Sequence, residues 1–131
     1  MCSLITCKAL KFNIEHLMRQ YNFNDDILYF DAGLHNFVNL LNERVTEALE
    51  NNRICDKQSI IGFGRCCGNV EELSRKYDSP YTEVENCYHL FLGNDYYNLL
   101  KEIPGTFFLT NYLAENFEDL IIKPQKIDIH P

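Results

Sequence analysis

The chain has 131 residues, of which 46% are hydrophobic, and its 12 Lys+Arg against 19 Asp+Glu leave a formal net charge of −7. That apolar content suits one packed core and is too high for a disordered chain, so a single domain spanning residues 1–131 is expected. The acidic balance, with no Lys/Arg cluster to break it, argues against a nucleic-acid partner.

Membrane insertion is not expected either, because no apolar run approaches the ~18 residues a spanning helix needs. The start, Met1 to Lys8, has no basic segment ahead of its short apolar run, so a cytoplasmic location is expected.

Taken in chain order, Ser3 to Thr6 reads as a first strand. Leu10, Ile14, Leu17, Met18 and Tyr21 then recur at helical spacing. Asn24-Asp25-Asp26 marks a turn into a second strand, Ile27 to Phe30. Asn36 is a candidate N-cap for a helix carrying Leu40, Leu41, Val45 and Leu49 on one side. A third strand, Ser59 to Phe63, leads into the turn Gly64-Arg65-Cys66-Cys67-Gly68-Asn69 and a short helix with Val70, Leu73 and Tyr77.

Pro80 to Val84 reads as a fourth, weaker strand, followed by a helix running from Leu90 and Phe91 to Leu100. Thr106 to Thr110 reads as a fifth strand and Tyr112 to Ile121 as a last helix. The alternation predicts an α/β fold with a doubly wound, mostly parallel sheet of four or five strands and helices on both faces. The strands lack polar alternation, as strands buried on both faces do.

Six cysteines in a reducing compartment do not form a disulfide framework; they are core residues, metal ligands or reactive thiols. Cys7 follows the first strand, Cys66 and Cys67 the third, and Cys87 the fourth, while His35 follows the second. The carboxyl ends of parallel strands share one edge, so the topology would bring these groups together. Thiolates are soft anionic ligands, and three of them with His35 or Cys67 nearby suit zinc or an iron–sulfur cluster. Helix N-termini would favour the thiolate form of Cys67 and Cys87. No Cys-x-x-Cys occurs, and free cysteine also packs as a small hydrophobe, the reading preferred for Cys2 and Cys55.

Among the other candidates, His16 reads as a surface residue, His89 as core or surface, and the Tyr96-Tyr97 and Phe107-Phe108 pairs as core. Asp31 either orients His35 or caps a turn.

An ordered set of motifs spans residues 3 to about 113: Ile5-Thr6-Cys7, Leu34-His35-Asn36, Phe63-Gly64-Arg65-Cys66, Cys87 leading to Phe91-Leu92-Gly93, and Pro104 to Thr110. This set resembles a domain family of unknown function, common in methanogens and other anaerobes, whose genes often lie beside corrinoid methyltransferase genes. The resemblance implies that the cysteines at positions 7, 66 and 87 act together. It also implies a role accessory to anaerobic one-carbon or corrinoid metabolism, with a corrinoid or methyltransferase protein as partner. The chain departs from the family pattern at Glu85-Asn86, where His-Asp is usual, and at Asn111-Tyr112, where Gly-Trp is usual. The expected function is therefore metal or iron–sulfur binding at Cys7, Cys66 and Cys87. Its rivals are a metal-free cysteine nucleophile at Cys87 and an interaction domain with structural cysteines.

Overall fold

Three apolar segments pair as strands: β1 (Cys2–Cys7), β2 (Asp26–Phe30) and β3 (Gln58–Gly62). The structure is a computed structural model that describes residues 2–22 and 24–123, with His35 and Asn36 described through their backbone alone. Both pairings are parallel and the order is β2-β1-β3, so Ile5 pairs with Leu28 on one side and Ile61 on the other. The chain moves one way from β1 to β2 and then crosses back past β1 to β3. That reversal makes the crevice at the carboxyl ends of β1 and β3 a topological switch point, where open parallel sheets bind ligands.

Helix α1 (Lys11–Tyr21) makes the first crossover and α2 (Val38–Ile54) the second. Leu41, Val45, Ala48 and Leu49 of α2 are buried at the spacing of one helical stripe. They form the core with Ile5 and Ile61, and each fully buried aliphatic side chain contributes about 1.5–3 kcal/mol. Asn52 Nδ2 donates to Ser59 Oγ at 2.8 Å, which ties α2 to the same face of the sheet. Leu4, Ile27 and Ile60 line an apolar groove of about 370 Å³ together with Ile14, Leu17 and Met18 of α1.

The expected cap at Asn36 is not where α2 begins. A 3₁₀ turn, Ala32–Asn36, takes up that residue, because Asp31 Oδ1 accepts from Gly33 N–H at 2.9 Å and starts the turn early. Phe37 is left at the N-cap position without a side-chain cap.

Among the described residues the sheet has three strands, not four or five. The segment after α3 (Val70–Lys76) touches β3 through a single parallel bridge, Ile61 to Tyr81. Ile61 N–H donates to Pro80 O and Thr82 N–H donates to Ile61 O, but Val84 N–H then turns back onto Thr82 O and the ladder stops. Residues 106–110 join no strand. Their rings pack elsewhere, with Phe108 stacked on Tyr88 at 5.5 Å and Phe107 edge-on to Phe117.

The single helix expected from Leu90 to Leu100 is two, α4 (Cys87–Leu92) and α5 (Asp95–Glu102). Gly93, at φ +56°, breaks it in a conformation that favours glycine. Tyr97 and Phe107 are exposed and not core. The chain continues through α6 (Asn111–Glu115), capped by Thr110, and a π-helical turn, Glu118–Ile122. Among the described residues no helix is long and apolar enough to cross a membrane.

Candidate functional site

Three segments that are distant in sequence meet at the carboxyl ends of β1 and β3. Cys7 ends β1, Cys66 lies in the 3₁₀ turn Arg65–Cys67 just past β3, and Cys87 is the first residue of α4. All three line one small cavity of about 10 Å³, walled also by Leu10, Phe63 and Gly64. The turn after β3 is held against the loop before α4 by Arg65 N–H to Val84 O (2.9 Å) and Cys66 N–H to Glu85 O (3.1 Å). The Arg65 guanidinium reinforces this join by pairing with Glu85 at 3.0 Å and Glu71 at 3.3 Å.

Glu85 and Asn86 have local work here. Glu85 takes the Arg65 ion pair, and Asn86 caps α4 by accepting from His89 N–H at 3.0 Å. Asn86 Nδ2 also donates to Tyr96 OH at 3.0 Å. The His89 ring stacks on Tyr96 at 5.1 Å, and its Nδ1 accepts from Glu85 N–H at 3.0 Å. His89 is thus spent on holding the loop. His16 is exposed, as expected.

Electrostatics at the site are set by burial and by the thiols themselves. Burial pushes the Cys7 thiol up to about 12; Ala9 N–H, donating to its Sγ at 3.4 Å, opposes this, while Cys87, Cys66 and Asp31 add to it. Cys87 is pushed up to about 11, by burial first and by Cys66 second. The N–H groups of Cys87 and Tyr88 at the start of α4 do lower it, as the helix terminus predicts, but burial outweighs them. Cys66 is also raised, chiefly by burial, against the pull of nearby backbone N–H groups. A protein cation would reverse these shifts, but Arg65, the neighbour of Cys66 in sequence, is paired with two carboxylates. A divalent metal would reverse them outright.

The other thiol of the 3₁₀ turn separates from this group. Cys67 is fully buried in the core, does not line the cavity, and is pushed up to about 12 by burial and then by Cys66. Its carbonyl accepts from Asn42 Nδ2 at 3.0 Å. The expectation for the His35 side chain lies outside the described residues. Asp31 caps the turn that carries His35. Cys2 lines the α1 groove and Cys55 is exposed. Among the described residues no group of three His, Cys, Asp or Glu side chains is already spaced to hold a metal; the thiols converge without a formed ligand cage.

Burial alone orders the cysteines by reactivity. In native, metal-free protein iodoacetamide is expected to label Cys55 first and Cys67 only on unfolding, as read by mass spectrometry of timed digests. Fast labelling of Cys67 would contradict its place in the core.

A parallel sheet with three thiols gathered at its switch point defines a small α/β protein with a cysteine-lined site. The chain belongs to the family described as protein of unknown function (DUF1638), whose model matches residues 29–130. The match includes Cys66 and Cys87, and Cys7 precedes it. No curated protein and no solved structure is significantly similar to the chain.

Proposed function

We propose that Cys7, Cys66 and Cys87 bind one soft divalent cation, zinc before any other, at the carboxyl edge of the sheet. The observation that carries this reading is the convergence of three thiols from separate segments on one cavity at the switch point. Size separates the candidate cofactors. A cavity of about 10 Å³ is close to one water-sized sphere, so a four-iron cluster does not fit without displacing the walls. A single ion does fit, with the thiols drawn inward as it binds and deprotonated in the process. Three protein ligands leave an open position, the arrangement of catalytic rather than structural zinc.

The nucleophile reading is weaker, because a thiol pushed up to about 11 at Cys87 is a poor source of thiolate at neutral pH. The setting proposed is accessory to anaerobic one-carbon or corrinoid metabolism, with a corrinoid or methyltransferase protein as partner; the resemblance alone supports it. The fold belonging to this reading is doubly wound, with helices on both faces of the sheet. Right-handed crossovers in opposite directions would set α1 and α2 on opposite faces.

Protein prepared without oxygen and dialysed is expected to hold about one zinc per chain by elemental analysis, and to be colourless. A brown absorption with bound iron would make the site a cluster instead. Absence of any bound metal, even after incubation with zinc or with iron and sulfide, would overturn the proposal and bring the nucleophile reading forward.

A further inference from the structure

Oxidation gives the thiols at the edge of the sheet a second use. We propose that Cys66 and Cys87 close a reversible disulfide, with a small-molecule disulfide as oxidant, and that this bond switches the site off for metal. The release of metal rests on the zinc reading above; the bond itself does not.

The first observation is proximity held by backbone. The pair rides on residues 64–66 and 84–87, which are joined by Arg65 N–H to Val84 O at 2.9 Å and Cys66 N–H to Glu85 O at 3.1 Å. The second of these bonds ends two residues short of Cys87. Gly64 lets the join close, since a methyl group there would meet the backbone of residues 84–86. Asn86 accepts from His89 N–H at 3.0 Å, which fixes Cys87 as the first residue of α4. Segments bonded in this way run about 5 Å apart, and a disulfide spans Cα atoms up to about 7 Å apart.

The second is the gap between the side chains. Cys66 and Cys87 wall one cavity of about 10 Å³, close to a single water-sized sphere. Closing the bond therefore asks for side-chain rotation and not for movement of a strand. The thiols already sense one another, Cys66 being the largest influence on Cys87 after burial.

The third is access, which selects this pair over the others. Cys66 and Cys87 are partly exposed, whereas Cys7 is 2% exposed and Cys67 is fully buried. Cys67 is adjacent to Cys66 in sequence but lies in the core and does not line the cavity. A vicinal bond would have to unwind the 3₁₀ turn that separates them.

The chemistry balances in two exchanges. The Cys66 thiolate attacks one sulfur of the oxidant R–S–S–R, forming a mixed disulfide and releasing RS⁻. The Cys87 thiolate then attacks the Cys66 sulfur and expels the second RS⁻. The leaving thiolates take up the two protons that the protein thiols give up, and two electrons pass from protein to oxidant. Zinc needs the same sulfurs as thiolates, so the bond removes two of its three proposed ligands, and a bound ion shields them from oxidation.

Cystamine serves as the oxidant, its amines suiting a chain of net charge −7. Metal-free, full-length protein is incubated with it under argon, unfolded, blocked with iodoacetamide and digested. Mass spectrometry with fragmentation is expected to find one peptide pair joined through Cys66 and Cys87, and a chain lighter by two hydrogens. Dithiothreitol should reverse both. Cys87→Ser should instead retain one cysteamine on Cys66, while Cys7→Ser should close the bond as before. If Cys87→Ser fails to fold, the joined peptides from the unaltered chain decide alone. A bond from Cys66 to Cys67, a bond from either partner to Cys7, or cysteamine left on Cys66 in the unaltered chain overturns the proposal. Zinc at about ten times its Kd should slow closure about tenfold, the factor by which it depletes the free site. Closure at an unchanged rate would overturn the zinc reading and the release of metal with it, while the bond would stand.

Discussion

Cys66→Ser is expected to lower zinc affinity by at least about 100-fold. Changes to groups that merely orient a metal ligand cost roughly 10–100-fold, so loss of a thiolate ligand itself lies at or beyond that range. Serine keeps the volume but replaces a soft anionic sulfur with a neutral hydroxyl that holds zinc poorly. The fold should survive, because the join made by Cys66 N–H and Glu85 O uses backbone atoms and remains in the variant. Cys7→Ser and Cys87→Ser should behave alike, whereas Cys55→Ser, at an exposed thiol, should leave zinc in place. The measurement is competition for zinc against a chromophoric chelator, with circular dichroism as the check on folding. An affinity within twofold of the unaltered protein would remove Cys66 from the site.

Gly64→Ala is expected to destabilise the fold by about 3 kcal/mol and to abolish zinc binding with it. The reason is steric and does not involve glycine's backbone freedom, since Gly64 has an ordinary extended conformation at φ −87°. A methyl group there would meet the carbonyl oxygen of Val84 and lie 2.9 Å from Glu85 C and 3.0 Å from Asn86 N. All three are backbone atoms that no rotamer change can move. Relief requires the two segments to part, which breaks the bonds from Arg65 N–H to Val84 O and from Cys66 N–H to Glu85 O. Cys66 and Cys87 ride on those two segments and would separate. For a chain of this length the loss corresponds to a fall in melting temperature on the order of 10 °C, read by thermal denaturation. A fall below about 1 °C would mean that the join is looser than the geometry requires.

How much of this could be read from residues alone varies along the chain. The first half was legible because each element there carries its own local cause. Ser3 to Thr6, Ile27 to Phe30 and Ser59 to Phe63 are short apolar runs bounded by turns, and each lies within a residue or two of β1, β2 and β3. Helix α2 announces itself through Leu41, Val45 and Leu49, a stripe that only a helix can bury together. The grouping of Cys7, Cys66 and Cys87 was legible too, since parallel strands deliver whatever follows them to one edge.

The second half was decided by packing. An aromatic run such as Thr106 to Thr110 looks the same whether its rings enter a sheet or stack on helices, and the stack with Tyr88 and Tyr96 won. The step from Cys66 to Cys67 shows the limit most sharply. In a 3₁₀ turn neighbouring side chains point about 120° apart, so one thiol lines the cavity while the next is fully buried in the core. Composition assigns both the same chemistry; only the phase of the turn tells them apart. That phase is set by the join between residues 64–66 and 84–86, two segments some twenty positions apart.

By itself, then, the sequence determined an acidic α/β chain whose strand ends bring cysteines to one edge, because hydrophobic periodicity is a local property. Which thiols line the cavity and where the sheet stops were decided by tertiary structure. Each depends on the close approach of distant backbone, which no local pattern encodes.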